Sequence, residues 1–225
     1  MAIFSFDTWQ VTIFSLVVGL SATLLILPFG IALAYLFARN EWPLKTLLET
    51  FLLLPLVMPP VSTGLILLKI FGRRSPLGRW LYDRGVEIVF NWKGVLIAMA
   101  VMSFPLLFRS VRTSFAEVNP RLEQIAATLG ASPPRIFFVV TIPLAYRGIV
   151  AGALLAFSRA LGEFGATILL AGNIPGKTQT LSLAIYNFVQ LGKDTEAYTL
   201  LGITVALAFL FVWSSEWLLR SGTKA

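Results

Sequence analysis

The chain has 225 residues, of which 57% are hydrophobic and only 13% are charged, and its mean hydropathy is +0.81. A soluble domain of this composition would expose far too much apolar surface, so the composition excludes a soluble protein and predicts one that crosses a membrane several times. The formal net charge of +7 does not indicate a nucleic-acid partner, because basic and aromatic residues do not alternate as in a nucleic-acid module.

Five apolar runs are long enough to cross the ~30 Å hydrocarbon core, which takes about 20 helical residues. They lie at residues 11–37, 47–71, 88–108, 148–171 and 197–219, with a long loop at 109–147. Lys93 falls inside the third run, where its ammonium group would have to snorkel to the interface. The predicted fold is all-α: one polytopic membrane domain over residues 1–225 with about five transmembrane helices.

The first run is expected to stay in the membrane rather than to be cleaved as a signal peptide. Asp7 is its only early charge, it lacks a basic n-region, and the apolar stretch is too long for an h-region. Trp9 and Trp42 bracket this run, and Trp213 and Trp217 lie near the end of the fifth. This placement is typical of the aromatic belts at the two membrane interfaces.

The chain contains neither cysteine nor histidine. Disulfides and thiol chemistry are therefore excluded, and the commonest metal ligand is missing. The sequence also lacks the H-E-x-x-H and G-x-S-x-G motifs of intramembrane or hydrolytic enzymes. We expect no catalytic residue, no metal site and no cofactor in this chain.

The loop between the second and third runs, residues 72–93, carries five basic residues against Asp83 and Glu87. Such a basic outer loop would concentrate an anionic solute near the membrane. Binding of lipid phosphates or of a partner protein explains the same residues equally well. The sequence leaves both interpretations open.

The long loop contains two consecutive helix-start signals. Asn119 is a good N-cap and Pro120 suits the first helical position, while Gly130 supplies a left-handed residue that ends a helix. Ser132 and Pro133 then repeat the start signal. The pattern predicts a helix, a sharp glycine turn and a second helix, an elbow that presents one short helix to a partner; an ordinary amphipathic loop is the alternative.

Two opposite charges lie inside the fourth run. Arg159 and Glu163 are four residues apart, which would place them on one helical face, with Arg159 near the middle of the span. Each charge alone would cost about 2.5 to 3.5 kcal/mol at the bilayer centre, so the two are expected to pair and to face protein or water. They could line a translocation pathway or serve only as a packed ion pair.

The segment that follows the fourth run fits a relaxed phosphate-loop pattern, with Ala171 in place of the first glycine and Gly176-Lys177-Thr178 at the end. A true phosphate loop joins a strand to a helix, whereas this segment follows a membrane span. We therefore predict a loop shaped by glycine and proline at the outer mouth, part of a gate. Its residues of interest are Asn173, Pro175, Gly176, Lys177 and Thr178.

The elbow resembles the E-A-A signature of permease subunits in ATP-binding-cassette importers, a pattern written E-A-A, three residues, G, nine residues, I-x-L-P. Ala126, Gly130 and Pro143 match it outright, and the remaining positions are substituted by Gln124, Ile125, Val140 and Ile142. The resemblance implies that residues 109–147 form the loop that couples the permease to an ATPase. The positions it implicates are Glu123, Gln124, Ala126, Gly130, Ser132, Arg135 and Pro143.

The segment from Ser158 to Tyr186, with Gly162-Glu-Phe-Gly and Gly172-Asn-Ile-Pro-Gly-Lys-Thr, is similar to the molybdate branch of this family, whose relatives import sulfate. The resemblance implies a homodimer that carries molybdate by alternating access, with two ATPase subunits and an extracytoplasmic binding protein as partners. Sulfate or tungstate are alternative substrates. An ion-coupled secondary transporter is the alternative of another class.

The resemblance also implies an orientation in the bacterial plasma membrane. If residues 109–147 are cytoplasmic, five spans place the N-terminus outside and the C-terminus in the cytoplasm. A slight majority of the basic residues then lies on the cytoplasmic side, in the direction of the positive-inside rule.

Overall fold

The computed structural model describes residues 6–220, which form helices joined by turns and loops and contain no β-strand. This confirms the prediction of an all-α polytopic protein. Four helical stretches are long and apolar enough to cross a membrane, and there are five if the bent pair of α2 and α3 counts as one span. The helices are α1 (Phe6–Arg39), α2 (Lys45–Val57), α3 (Pro60–Phe71), α4 (Pro76–Tyr82), α5 (Trp92–Glu117), α6 (Pro120–Thr128), α7 (Pro133–Ile136), α8 (Ile142–Leu161), α9 (Gly165–Leu170), α10 (Leu181–Gln190) and α11 (Asp194–Arg220).

Helix α5 is the centre of the bundle. It packs between α1 and α8, and α11 lies against α8. Phe37 of α1 meets Phe108 of α5 edge to face, with 5.3 Å between the ring centroids, and both rings are buried. Because lipid tails are as apolar as these side chains, close packing rather than the hydrophobic effect holds the helices together.

Small residues allow α8 to approach α5 closely. Gly148 and Gly152 form a G-x-x-x-G pair on α8, and a Cβ at Gly148 would lie 1.5 Å from Ser114 Oγ of α5. Ser110 Oγ donates a hydrogen bond of 3.3 Å to the Gly148 carbonyl. This arrangement of small residues and an interhelical hydrogen bond is typical of membrane helix pairs.

The second predicted span, residues 47–71, is broken into two helices rather than straight. Helices α2 and α3 are bent by 112° at the break. Pro59 disfavours helical geometry at Met58, which is extended with φ −67° and ψ 145°, and Pro60 starts the new helix. The second span is therefore either a broken helix or a re-entrant pair.

The third span begins and ends later than predicted. Helix α5 starts at Trp92, where Asn91 Oδ1 accepts from the Lys93 amide at 3.3 Å, and it continues to Glu117 instead of Phe108. Lys93 thus lies in the first turn of the helix, at the very end of the candidate span. The first residues of the predicted 109–147 loop belong to α5, because hydropathy does not register a helix that continues into polar surroundings.

The fourth span is displaced toward the N-terminus. The spanning helix runs over residues 133–161 through α7, a π-helical turn (Phe137–Thr141) and α8, instead of over 148–171. It ends at Gly162, and α9 is a separate short helix after a non-helical Phe164. Arg159 therefore lies in the last turn of the helix, and Glu163 lies outside it rather than on the same helical face.

Helix α9 packs against α3 through glycine. A Cβ at Gly64 would lie 2.7 Å from the Cα and 2.9 Å from the carbonyl oxygen of Ala166, and neither backbone atom can yield cheaply. We expect Gly64→Ala to destabilise the protein by about 1–3 kcal/mol through overpacking. Its thermal midpoint in detergent should fall by several degrees. Gly202→Ala is the matched control, since nothing lies within 4 Å there; an unchanged midpoint for Gly64→Ala would contradict this packing.

Candidate functional site

Two polar regions lie at opposite ends of the bundle. The elbow (residues 119–133) connects α5 to α7, and the distal segment (residues 158–180) begins with the last turn of α8. Thr141 contacts the elbow and Arg159 belongs to the distal segment. Eighteen residues separate them, which is about 27 Å along a helix. The two regions are therefore close to one hydrocarbon thickness apart.

The elbow is formed by the local capping and turn signals that the sequence contains. Asn119 Oδ1 accepts from the Arg121 amide at 3.0 Å and caps α6. Gly130 is left-handed, with φ +85°. Its amide donates to Ala127 O and the Ala131 amide to Ala126 O, each at 3.0 Å, which is the hydrogen-bond pair of a Schellman motif. The predicted helix and glycine turn are both present.

The second half of the elbow differs from the prediction. Ser132 occupies the N-cap position of α7, but its side chain makes no capping hydrogen bond. Pro133 opens the helix as expected, yet that helix is not a separate short element, because it continues through the π-helical turn into α8. A displacement of the elbow therefore acts directly on a membrane-spanning helix.

Glu123 holds the inner side of the elbow to the bundle. Its Oε1 accepts from Arg39 Nη2 at 2.9 Å and from Thr141 Oγ1 at 2.7 Å. Arg39 Nη2 also donates to the Val118 carbonyl at 3.0 Å. The Arg39 and Glu123 side chains are only 14% and 16% exposed, so solvent screens their attraction little. Through Glu123, α6 is joined to the end of α1 and to the start of the α8 span.

The outer side of the elbow is an open apolar groove of about 400 Å³. Leu129 at its rim is 83% exposed, and the groove brings together Ala126 and Pro143, which match the signature pattern in sequence. Gln124 and Arg135 are exposed but do not line it. An exposed apolar groove bounded by a polar helix is typical of a protein-protein contact. The groove lining comprises Leu122, Ile125, Ala126, Leu129, Val139, Val140, Pro143 and Leu144.

In the distal segment, Arg159 and Glu163 form the predicted pair with a different geometry. Arg159 Nη1 lies 2.9 Å from Glu163 Oε2, and Glu163 Oε1 accepts from the Ala166 amide at 2.8 Å. The carboxylate is 1% exposed, whereas the arginine side chain is 26% exposed. Glu163 thus fixes the turn between α8 and α9, and the Arg159 side chain remains partly exposed.

The phosphate-loop-like segment uses its polar atoms internally. Thr178 Oγ1 accepts from the Ile174 amide at 3.0 Å and donates to Gly172 O at 3.3 Å, and Thr178 is fully buried. The segment follows helix α9 rather than a strand. A hydroxyl engaged in this way is not positioned as a metal ligand beside a nucleotide, which supports the interpretation as a shaped loop. Pro175, Gly176 and Lys177 form its exposed tip.

Several buried polar atoms in and near the distal segment have no hydrogen-bond partner within residues 6–220. They are Thr63 Oγ1, Ser158 Oγ, Glu163 Oε2, Thr167 Oγ1 and Asn173 Oδ1, of which Glu163 Oε2 has only its ion pair with Arg159. Leaving such a group unsatisfied costs about 1–3 kcal/mol, and native proteins contain few of them. All but Thr63 Oγ1 belong to the distal segment.

Sequence reasoning missed the partners of Glu123 and of Arg39. These residues are separated by 84 positions, and neither the spacing nor the composition of the chain relates them. A usable signal was present only at the end of α1, where a basic residue follows a long apolar run. A basic residue in that position is also typical of a charge that merely flanks a membrane span.

Residues 26–221 match the family described as the inner membrane component of binding-protein-dependent transport systems. The chain is 48% identical to the molybdenum transport system permease protein ModB of Escherichia coli (strain K12), over 94% of this chain and 93% of the relative. It is 35% identical to the sulfate transport system permease protein CysT of the same strain, over 83% of this chain and 67% of that relative.

Two solved structures share the fold. One shows inward-facing conformations of the MetNI methionine ABC transporter, with a TM-score of 0.65 and 18% identity over 96% of this chain and 94% of that chain. The other is a bacterial alginate ABC transporter in complex with an alginate pentasaccharide-bound periplasmic protein, with a TM-score of 0.73 and 17% identity over 98% of this chain and 81% of that chain.

Proposed function

Because this chain belongs to the family of inner membrane components of binding-protein-dependent transport systems, we propose that it is the permease subunit of an ATP-driven molybdate importer. The elbow carries this proposal, since a capped helix and a left-handed Gly130 present an apolar groove away from the bundle. The 48% identity to a molybdenum permease protein supports molybdate as the substrate, and the lower identity to a sulfate permease protein makes sulfate the alternative.

The proposed assembly has two copies of the chain and two ATPase subunits, with an extracytoplasmic binding protein that supplies the ion. Each copy contributes its whole described length as one membrane domain, multi-pass in the bacterial inner membrane, with its N-terminus outside and its C-terminus cytoplasmic. The two termini lie outside residues 6–220. The chain itself is a translocation subunit and not an enzyme, because ATP hydrolysis takes place in the ATPase partner.

The elbow can transmit motion because its two sides have different tasks. The outer groove accepts the ATPase, and the inner side is attached to α1 and to the α8 span through Glu123. Closure of the ATPases on ATP would therefore shift α1 and α8 as rigid bodies. Transport follows from this change between inward-open and outward-open forms, so the pathway needs little affinity for the ion.

The distal segment supplies the proposed pathway charge and gate. The Arg159 side chain is partly exposed, and its ion pair with the buried Glu163 holds it in position. Two copies related by a two-fold axis would present two such arginines, which matches the double negative charge of a tetrahedral oxyanion. The exposed tip formed by Pro175, Gly176 and Lys177 is the proposed outer gate, with Asn173 and Thr178 shaping its base.

The test uses the transporter reconstituted with its ATPase and binding protein in proteoliposomes. We expect molybdate-loaded binding protein to stimulate ATP hydrolysis and ATP-dependent uptake, and sulfate to have no effect at the same concentration. Stimulation by sulfate alone would replace the substrate but keep the importer. Uptake driven by a proton or sodium gradient without ATP would refute the importer and favour a secondary transporter.

A further inference from the structure

A groove with two adjoining parts runs along the exposed face of α1. It does not include the elbow or the Arg159–Glu163 pair. Its upper part, of about 650 Å³, lies between the first turns of α1, the tip of the distal segment and α10. Its lower part, of about 470 Å³, lies between α1, α8 and α11. Val17 lines both parts, so the two cavities adjoin at this residue.

The groove walls are fixed by contacts within the bundle. Ser15 Oγ accepts from the Leu181 amide at 2.8 Å and ties the start of α10 to α1. On the opposite wall, Phe157 of α8 packs edge to face on Phe211 of α11, with 4.7 Å between the ring centroids. The groove is therefore a standing feature of the fold rather than a gap between loosely packed helices.

Charge and polarity are segregated along the groove. Lys177 and Lys193 line its upper part, both are exposed, and neither forms a salt bridge within residues 6–220. Among residues 8–220, whose side chains the structure describes, no acidic residue lines either part. Apart from Thr23, the lower part is lined by apolar side chains. Thus an anion fits one end and a hydrocarbon chain fits the other.

The lower part of the groove is about as long as the hydrocarbon region of one membrane leaflet is thick. The α1 residues of the lower part run from Leu16 to Leu27, about 16 Å along the helix, and half of a ~30 Å hydrocarbon core is about 15 Å. Trp9, which is 60% exposed, lies at the upper end, where an interfacial aromatic residue is expected. The lysines therefore lie at headgroup level.

We propose that this groove binds an anionic phospholipid from the leaflet opposite the elbow, with its phosphate between Lys177 and Lys193 and an acyl chain along α1, α8 and α11. The site lies apart from the ATPase contact and from the Arg159–Glu163 pair, and it shares Lys177 with the proposed outer gate. Lipid binding there would hold the tip of the distal segment against α1, because Lys177 belongs to that tip.

The experiment measures phosphatidylglycerol binding to the purified, assembled transporter by native mass spectrometry. Each lysine near an anionic headgroup contributes about 1 kcal/mol, so Lys177→Gln with Lys193→Gln should weaken binding roughly 25-fold. The charge-retaining pair Lys177→Arg with Lys193→Arg should bind as the wild type does. Val17→Trp should fill the groove and weaken lipid binding at least about tenfold. Val205→Trp, at a similarly exposed site on α11, should leave lipid binding unchanged.

Other occupants give different results. Equal binding of phosphatidylethanolamine would refute the role of the lysines, and equally tight binding of inorganic phosphate would show an anion site without a lipid. A second copy of the chain is tested by Val17→Cys, which is clean because the sequence has no cysteine. A disulfide between two copies at this position would overturn the proposal. Weakening by both groove variants, with both controls unchanged, supports it.

Discussion

Replacing Gly130 by valine is expected to lower ATP-dependent molybdate uptake at least about tenfold. Gly130 has φ +85°, a conformation that costs L-residues roughly 1–2 kcal/mol and β-branched residues more. A Cβ there would meet nothing within 4 Å, so the substitution changes only the backbone preference. The Schellman turn would open and α6 would lose its direction relative to α8. Uptake into proteoliposomes that contain the ATPase and the binding protein measures the effect.

Two variants separate this effect from general misfolding. Gly130→Asn should retain most uptake, because asparagine tolerates the left-handed region. Gly85 lies outside the elbow, has φ +74° and would have nothing within 4 Å of an added Cβ. Gly85→Val therefore imposes the same backbone penalty, and the ATPase should still copurify with this variant. The proposed docking role of the elbow is wrong if Gly130→Val retains both the ATPase and normal uptake.

Local capping chemistry explains why the elbow was predictable. Asn119 and Gly130 act on atoms only a few positions away, so their neighbours in sequence suffice to determine the turn. The attachment of the elbow was not predictable in the same way. Glu123 acquires its role from Arg39 and Thr141, which three-dimensional packing brings to it. A cap or turn that depends on a short segment can therefore be predicted from the sequence. A contact that is assembled across the bundle cannot.

Hydropathy located the spans but not their ends or breaks. The mean hydropathy of residues 47–71 does not indicate a change in the direction of the helix axis. The pair Pro59-Pro60 is the sequence feature that does indicate the 112° bend. The fourth span was misplaced for another reason. Exposed apolar residues such as Phe138 and Val139 were assigned to a loop, yet they belong to the first turns of the spanning helix. Moving that start toward Pro133 moves Arg159 from mid-span to the helix end.

The position of Arg159 changes the expected cost of its charge. About 27 Å separates it from the level of the elbow, so it lies toward the far interface, where an arginine costs less than at the bilayer centre. The buried Glu163 still requires it, since an uncompensated buried carboxylate is strongly destabilising. The pair therefore has a structural function in any case. Whether it has a transport function is tested by separating the two charges.

Replacing Arg159 by glutamine alone is expected to reduce the yield of folded transporter, because loss of one partner of a buried pair costs about 3–5 kcal/mol. Arg159→Gln combined with Glu163→Gln should recover the yield. The glutamine oxygen at position 163 can still accept from the Ala166 amide, and no buried charge remains. If the guanidinium serves the pathway, this folded double variant should take up molybdate at least about tenfold more slowly than the wild type.

Arg159→Lys distinguishes the charge from the planar geometry, because it keeps the charge and removes the guanidinium. Lysine can still neutralise Glu163, so the yield should stay near the wild-type level, but it cannot offer an oxyanion two parallel donors. We expect uptake to fall and ATP hydrolysis stimulated by the binding protein to persist, since the elbow is untouched. Normal uptake in both the lysine variant and the double glutamine variant would show that the pair is only a structural clamp between α8 and α9.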